Sequence, residues 1–171
     1  MPEIFCLSNI SLSSCEYALA LSSTAKRPTG IHKSILPMIT DIKIGVSAST
    51  EIVVGTRDTA HHVGSGRIKV LATPVMVMLL EEAALKAVED ILPPGLQTVG
   101  TRLDVSHIAA TPVGMRVVAN AKVTGADGRK LTFKVWAEDE MEVIGKGTHE
   151  RMVVDLERFD KRVARKTGNS V

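Results

Sequence analysis

Alternation of hydrophobic and polar residues predicts that most of the chain after residue 96 is β-structure. The first period-two stretch places six residues on one face of a strand: Val99, Thr101, Leu103, Val105, His107 and Ala109. The pattern recurs over residues 117–123, 131–137 and 145–154, and Asp127-Gly128 is typical of a tight hairpin. Strands joined by short turns predict an antiparallel sheet.

A helix of about five turns is predicted to begin at Thr73, which can cap it, and to end at residues 93–95, Pro-Pro-Gly. Its first two turns are apolar on every face, which predicts burial all round, whereas Glu82, Lys86 and Glu89 form a polar stripe. Residues 47–54 and 67–72 favour strands with a loop between them, and residues 155–166 favour an amphipathic tail helix. The fold class is therefore α+β, with one long helix packed on the sheet.

Composition indicates one globular domain at residues 39–171, preceded by an extension at residues 1–38 that is disordered or lies before the natural start. Both cysteines, Cys6 and Cys15, fall in the extension, so we expect no disulfide framework in the domain and a cytoplasmic location. The extension lacks the basic start and unbroken apolar stretch of a secretory signal.

Charge and hydropathy exclude two classes of partner. A formal charge of +2 and 3% aromatic residues do not favour nucleic acid. The apolar run at residues 74–80 is far shorter than the roughly 18 residues that a membrane-spanning helix needs. We expect neither nucleic acid nor membrane as a partner.

Three residues are candidates for chemistry, and each also has a structural interpretation. Glu81 projects from an apolar helix face, where a carboxylate is hydrogen-bonded, protonated or in use. His107 shares the inward face of its strand, as a packed core histidine also would. Thr73 lies eight residues before Glu81, on roughly the same side of the helix. A carboxylate and an imidazole that point into one interface form a plausible acid–base pair.

Other positions carry weaker signals. Gly100 interrupts a strand, which is typical of a bulge or of a ligand that approaches the backbone. His61 and His62 lack a spaced third ligand, so no metal site is predicted. No P-loop, dinucleotide fingerprint or nucleophile elbow is present, and we expect no cofactor.

Three segments resemble the fluoroacetyl-CoA thioesterase family of hotdog-fold proteins. They are Ala-Thr-Pro at residues 72–74 with Leu80-Glu81, Ser-His-Ile-Ala-Ala-Thr-Pro at 106–112, and Gly-Lys-Gly-Thr-His-Glu-Arg at 145–151. The resemblance implies a long helix wrapped by an antiparallel sheet, a homodimer and an acyl-CoA substrate. It also implies catalytic roles for Thr73, Glu81 and His107, and oxyanion or substrate binding by Gly100 and Arg151.

The chain departs from the family's namesake in one respect, because residues 64–72 lack the phenylalanines that form its hydrophobic lid. We therefore expect a broader preference for small acyl-CoA thioesters. In the hypothesis, His107 acts as general base or acid, Glu81 positions water or attacks, and Thr73 holds the pair in register. The basic tail at residues 162–166 either contacts coenzyme A phosphates or is solvated. Two rival functions are a non-catalytic acyl-CoA-binding module and an acyl-CoA dehydratase or hydratase.

Overall fold

The computed structural model describes residues 42–168, so the predicted extension with Cys6 and Cys15 lies outside the described residues. Five strands and three α-helices follow one another in the described part of the chain. The strands are β1 (Ser47–Val53), β2 (Leu96–His107), β3 (Arg116–Asp127), β4 (Lys130–Asp139) and β5 (Val143–Asp155). The α-helices are α1 (Ala60–Val63), α2 (Thr73–Lys86) and α3 (Leu156–Ala164), and 3-10 turns occupy Thr56–Asp58, Glu89–Ile91 and Arg165–Thr167.

The strands form one antiparallel sheet in the order β1-β3-β4-β5-β2. Alternate residues of the two central strands are fully buried against α2: Val117, Ala119, Ala121 and Val123 of β3, and Leu131, Phe133, Val135 and Ala137 of β4. Gly128 takes a φ of 57° in the β3–β4 turn, a conformation that glycine adopts without strain. The predicted α+β class with a helix on an antiparallel sheet is confirmed.

Helix α2 differs from its prediction in burial and in length. Six of its residues are buried, but Met78 is 55% exposed, so burial on every side was wrong. The α-helix ends at Lys86 after 14 residues and is followed by the 3-10 turn, before the Pro-Pro-Gly stop. Ala72 is the N-cap and Thr73 is the first helical residue, so the capping role predicted for Thr73 was also wrong.

The strand predicted at residues 67–72 is absent. Residues 66–69 are exposed, and the segment pairs only through isolated bridges from Val70 to Pro112 and from Leu71 to Thr59. A strand needs a continuous ladder of backbone partners, which this segment lacks. The loop before it instead contains α1 and a 3-10 turn.

Strand β2 contains a bulge, because its pairing with β5 shifts register between Gly100 and Arg102. The extra residue, Thr101, breaks the predicted alternation, so Thr98 is buried before the bulge while Leu103, Val105 and His107 are half-buried after it. The bulge predicted as one interpretation of Gly100 is thus present. No helix in the described part of the chain is long and apolar enough to cross a membrane.

Candidate active site

Thr73 and His107 meet at the start of α2 and the end of β2. The Thr73 Oγ1 atom lies 2.9 Å from His107 Nδ1. Both residues line a cavity of about 370 Å³, together with largely apolar residues of α1, the following loop and the segment after β2: Ala60, Ile68, Val70, Leu71, Ile108, Ala109 and Ala110. A hydroxyl and an imidazole in hydrogen-bond contact at a cavity wall form one of the arrangements that acyl-transfer enzymes use.

His107 favours the neutral imidazole. Burial lowers the pKa of His107 below its ordinary 6.5, although a backbone hydrogen bond with Ala109 opposes the shift. A neutral imidazole retains a lone pair that can accept a proton. His107 Nε2 is buried and has no hydrogen-bond partner among the described residues, so Nδ1 at Thr73 is the engaged nitrogen.

Glu81 lies eight residues further along α2, a rise of about 12 Å from Thr73. Its side chain is 46% exposed, so the buried carboxylate expected from the sequence is absent in the single chain. The Glu81 Oε1 atom lies 3.8 Å from His149 Nε2 and directly over Gly100. A Cβ atom on residue 100 would come within 2.5 Å of Glu81 Oε1, which explains glycine at this position.

Arg151 is buried beside this carboxylate, with 6% of its surface exposed. Its Nε donates to Thr98 Oγ1 at 2.9 Å and its Nη2 donates to the Thr98 carbonyl at 3.0 Å. Its Nη1 donates to the Glu81 carbonyl at 3.4 Å and to His149 Nε2 at 3.1 Å. The guanidinium is therefore fixed by neutral acceptors, and its charge faces the Glu81 side chain without a direct ion pair.

His149 completes this group and was not among the candidates from the sequence. It is fully buried on β5, and its Nδ1 lies 2.9 Å from the Arg102 carbonyl. Period two in the final strand could have shown that His149 and Arg151 share a face. The sequence offered no reason to separate this histidine from an ordinary core residue.

Within one chain, the predicted residues thus form two groups. Thr73 and His107 make one, and Glu81 makes the other with Gly100 and Arg151. In the described residues no hydrogen bond links Glu81 to Thr73 or His107.

The remaining candidates stand apart from both groups. His61 and His62 are exposed and line a separate cavity of about 260 Å³, and residues 42–168 contain no cluster of three or more potential metal ligands. The basic residues of the tail, Arg162, Arg165 and Lys166, are exposed on and after α3.

A long helix packed on a five-stranded antiparallel sheet is the hotdog fold, and the solved structures that this chain resembles include thioesterases of that fold. Residues 54–157 match the fluoroacetyl-CoA-specific thioesterase family, and the chain belongs to that family. It is an enzyme, a thioester hydrolase. The predicted family, fold and enzyme class are confirmed.

The individual matches agree with this assignment. The fluoroacetyl-CoA thioesterase of Streptantibioticus cattleyicolor is 43% identical over 99 residues, which cover 58% of this chain and 71% of that protein. A solved structure of a fluoroacetyl-CoA thioesterase matches with a TM-score of 0.69 and 36% identity over 73% of this chain and 97% of its own. A thioesterase superfamily member from Thermus thermophilus matches with a TM-score of 0.71 and 27% identity, over 75% and 96% of the two chains.

Proposed function

We propose that the chain hydrolyses short acyl-CoA thioesters, with Thr73, Glu81 and His107 as its catalytic residues. The observation that carries the proposal is the 2.9 Å contact between Thr73 Oγ1 and His107 Nδ1 at the wall of the 370 Å³ cavity. The lowered pKa of His107 supports a base that is neutral at physiological pH. Glu81 supplies the anionic group that hydrolysis pairs with such a base.

In the proposed reaction, the oxygen of a water molecule bonds to the thioester carbonyl carbon while His107 receives the water proton. The carbonyl oxygen becomes an oxyanion, which the backbone N–H of Gly100 stabilises. The carbon–sulfur bond then breaks, and the proton returns to the sulfur of coenzyme A. Glu81 positions the water, and Thr73 fixes the imidazole through Oγ1. A route with a covalent acyl intermediate on Thr73 or Glu81 consumes the same reactants and is distinguished by a burst of thiol release.

Arg151 is assigned to substrate binding and to ordering the site. A guanidinium keeps its proton in proteins, so Arg151 does not act as an acid. Its donors hold the backbone at Thr98 and Glu81, on either side of Gly100. Its positive charge would stabilise the developing oxyanion.

A homodimer would unite the two groups. Strand β2 lies at the sheet edge, and no second strand pairs with its outer side among the described residues. A 12-residue exposed edge is a template for another strand. Two β2 strands paired antiparallel about a twofold axis between Leu103 and Asp104 would place Gly100 of one copy opposite His107 of the other. Because Glu81 lies over Gly100 of its own copy, each site would combine Glu81 and Gly100 of one copy with Thr73 and His107 of the other.

The lining of the cavity favours small acyl groups and does not select for one particular substituent. None of its lining residues is aromatic apart from His107, in agreement with the absence of phenylalanines at residues 64–72. Its alanine, isoleucine and valine side chains select by size and apolarity, and the polar side chains in the lining are those of Ser65, Thr73 and His107.

Residues 42–168 contain no cysteine, which fits the reducing cytoplasm that we infer as the location.

A panel of acyl-CoA esters with a thiol reagent tests the proposal. We expect the wild type to release thiol from short-chain esters, and His107→Ala to lower kcat by about 10² to 10⁴ while retaining ligand binding. His62→Ala, which changes an exposed histidine outside the cavity beside Thr73, is the matched control and should retain full turnover. Binding without thiol release would indicate the acyl-CoA module, and an enoyl product without free coenzyme A would indicate the dehydratase or hydratase.

Light scattering tests the dimer separately. The proposal expects twice the 18.3 kDa mass of the chain. A monomer that remains fully active would contradict a site assembled from two copies.

A further inference from the structure

His149 contacts every part of the site around Glu81, although the proposed reaction gives it no role. It is fully buried, whereas Glu81 beside it is 46% exposed and Gly100 is exposed. Its Nε2 lies 3.8 Å from Glu81 Oε1, and its Cε1 would lie 3.1 Å from a Cβ atom on residue 100. The buried imidazole therefore packs beneath both the Glu81 carboxylate and the bulge at Gly100.

The hydrogen bonds of His149 determine its tautomer. Arg151 can only donate, so His149 Nε2 accepts from Arg151 Nη1 at 3.1 Å. The proton of the neutral ring then lies on Nδ1, which donates to the Arg102 carbonyl at 2.9 Å. Burial lowers the pKa of His149, and the adjacent Arg151 charge lowers it further, although Arg102 and Glu81 oppose the shift. The ring is thus neutral, with one donor and one acceptor, both in use.

The two bonds connect opposite sides of the site. Arg102 is the residue at which the β2–β5 register resumes after the bulge, so the bond from Nδ1 fixes the backbone beside Gly100. The bond to Nε2 fixes the Arg151 guanidinium, which in turn donates to the Glu81 carbonyl. A neighbouring Phe133 ring, with its centroid 6.2 Å away, packs beside the imidazole within the core.

We propose that His149 is a positioning residue of the thioesterase site, which holds the Gly100 bulge and Arg151 in register with the Glu81 carboxylate. The inference rests on the proposed function and extends it to a residue that does not touch the reacting atoms. A buried imidazole with both nitrogens engaged has one orientation, so it transmits a fixed geometry to the groups above it. A misplacement of about 1 Å at those groups lowers turnover by about 100-fold.

Three substitutions separate the two bonds. His149→Asn retains an amide donor near the Nδ1 position and loses the acceptor for Arg151. His149→Gln reaches the Nε2 position with its oxygen and loses the donor to Arg102. His149→Phe removes both bonds and retains an aromatic ring. Val117→Ala, a buried substitution near the start of β3 where the strand pairs with Asp139 and away from the row of Phe133 and His149, is the control for general destabilisation.

Steady-state kinetics and thermal melting are measured on each full-length variant. We expect kcat of His149→Phe to fall about 100-fold with KM within about threefold of the wild type, and each amide variant to recover part of the loss. Val117→Ala should lower Tm and keep kcat, and a purely structural role for His149 would give this same result in the His149 variants. Wild-type kcat in both amide variants would overturn the inference, whether or not the Phe variant folds. A wild type that releases no coenzyme A from any ester would instead overturn the proposed function and the inference with it.

Discussion

Gly100→Ala tests how closely the Glu81 carboxylate must approach the bulged strand. The added methyl group would lie 2.5 Å from Glu81 Oε1 and 3.1 Å from His149 Cε1. An ordinary contact begins at 3.4 Å, so the carboxylate must move by about 0.9 Å or rotate away. A displacement of that size at a catalytic group lowers turnover by about 100-fold, which is the loss of kcat that we expect.

Folding should be nearly unaffected by the same substitution. The nearest atom is the end of a flexible side chain that can rotate away, and the second, His149 Cε1 at 3.1 Å, belongs to a buried ring that must shift by only a few tenths of an ångström. Replacing glycine by alanine in a strand also gains about 0.5–1 kcal/mol of conformational free energy. We therefore expect the free energy of unfolding to stay within about 1 kcal/mol of the wild type.

The measurements are thiol release from a short-chain acyl-CoA and urea unfolding of the same preparation. Gly125→Ala is a matched control, because Gly125 also lies at a register shift, in β3, and its nearest neighbour to an added Cβ is 3.6 Å away. This control should keep both turnover and stability. Turnover of Gly100→Ala within about threefold of the wild type would refute the requirement for Glu81 at this position.

Three further predictions concern the two histidines and Thr73. Thr73→Val should lower kcat about fivefold, because one hydrogen bond to His107 is worth about 1 kcal/mol, whereas Thr73→Ser should retain most activity; equal kcat in Thr73→Val and the wild type would contradict a role for the contact. The acid limb of kcat/KM should have its midpoint below 6.5, because burial lowers the pKa of His107 and only the neutral base is active; a midpoint above 6.5 would contradict the assignment. The free energy of unfolding should fall as pH drops below about 6.5, because the unfolded chain protonates its histidines before the folded chain does. His149→Gln should reduce that slope, which is at most about 1.4 kcal/mol per pH unit for one histidine, and an unchanged slope would show that His149 is not the titrating group.

Much of the fold could be predicted from local patterns. The central strands were correct because every second residue of β3 and β4 is apolar and buried, so period and burial coincide. The segment at residues 67–72 has strand-like residues, but strand formation depends on a neighbouring backbone, which no local pattern reports. The exposure of Met78 has the same origin. The first turns of α2 are apolar on every face, so the sequence does not show which face the sheet fails to cover.

The candidate site was predictable in part. Thr73 and His107 were both identified, and their contact required the knowledge that α2 begins where β2 ends. The bulge changes which side chains of β2 face α2, and its position depends on pairing with β5. His149 has the signature of a core residue, and only its bonds to Arg102 and Arg151 reveal a role.

The mixing of two inactive variants tests most directly whether the site is assembled from two chains. Glu81→Ala and His107→Ala are each expected to lose turnover as homodimers. In a mixture unfolded and refolded at equal amounts, half of the dimers are mixed, and each mixed dimer contains one site with an intact Glu81 from one copy and an intact His107 from the other. The account predicts recovery of about a quarter of wild-type turnover. Recovery of no activity, with mixed dimers demonstrated by mass, would contradict it.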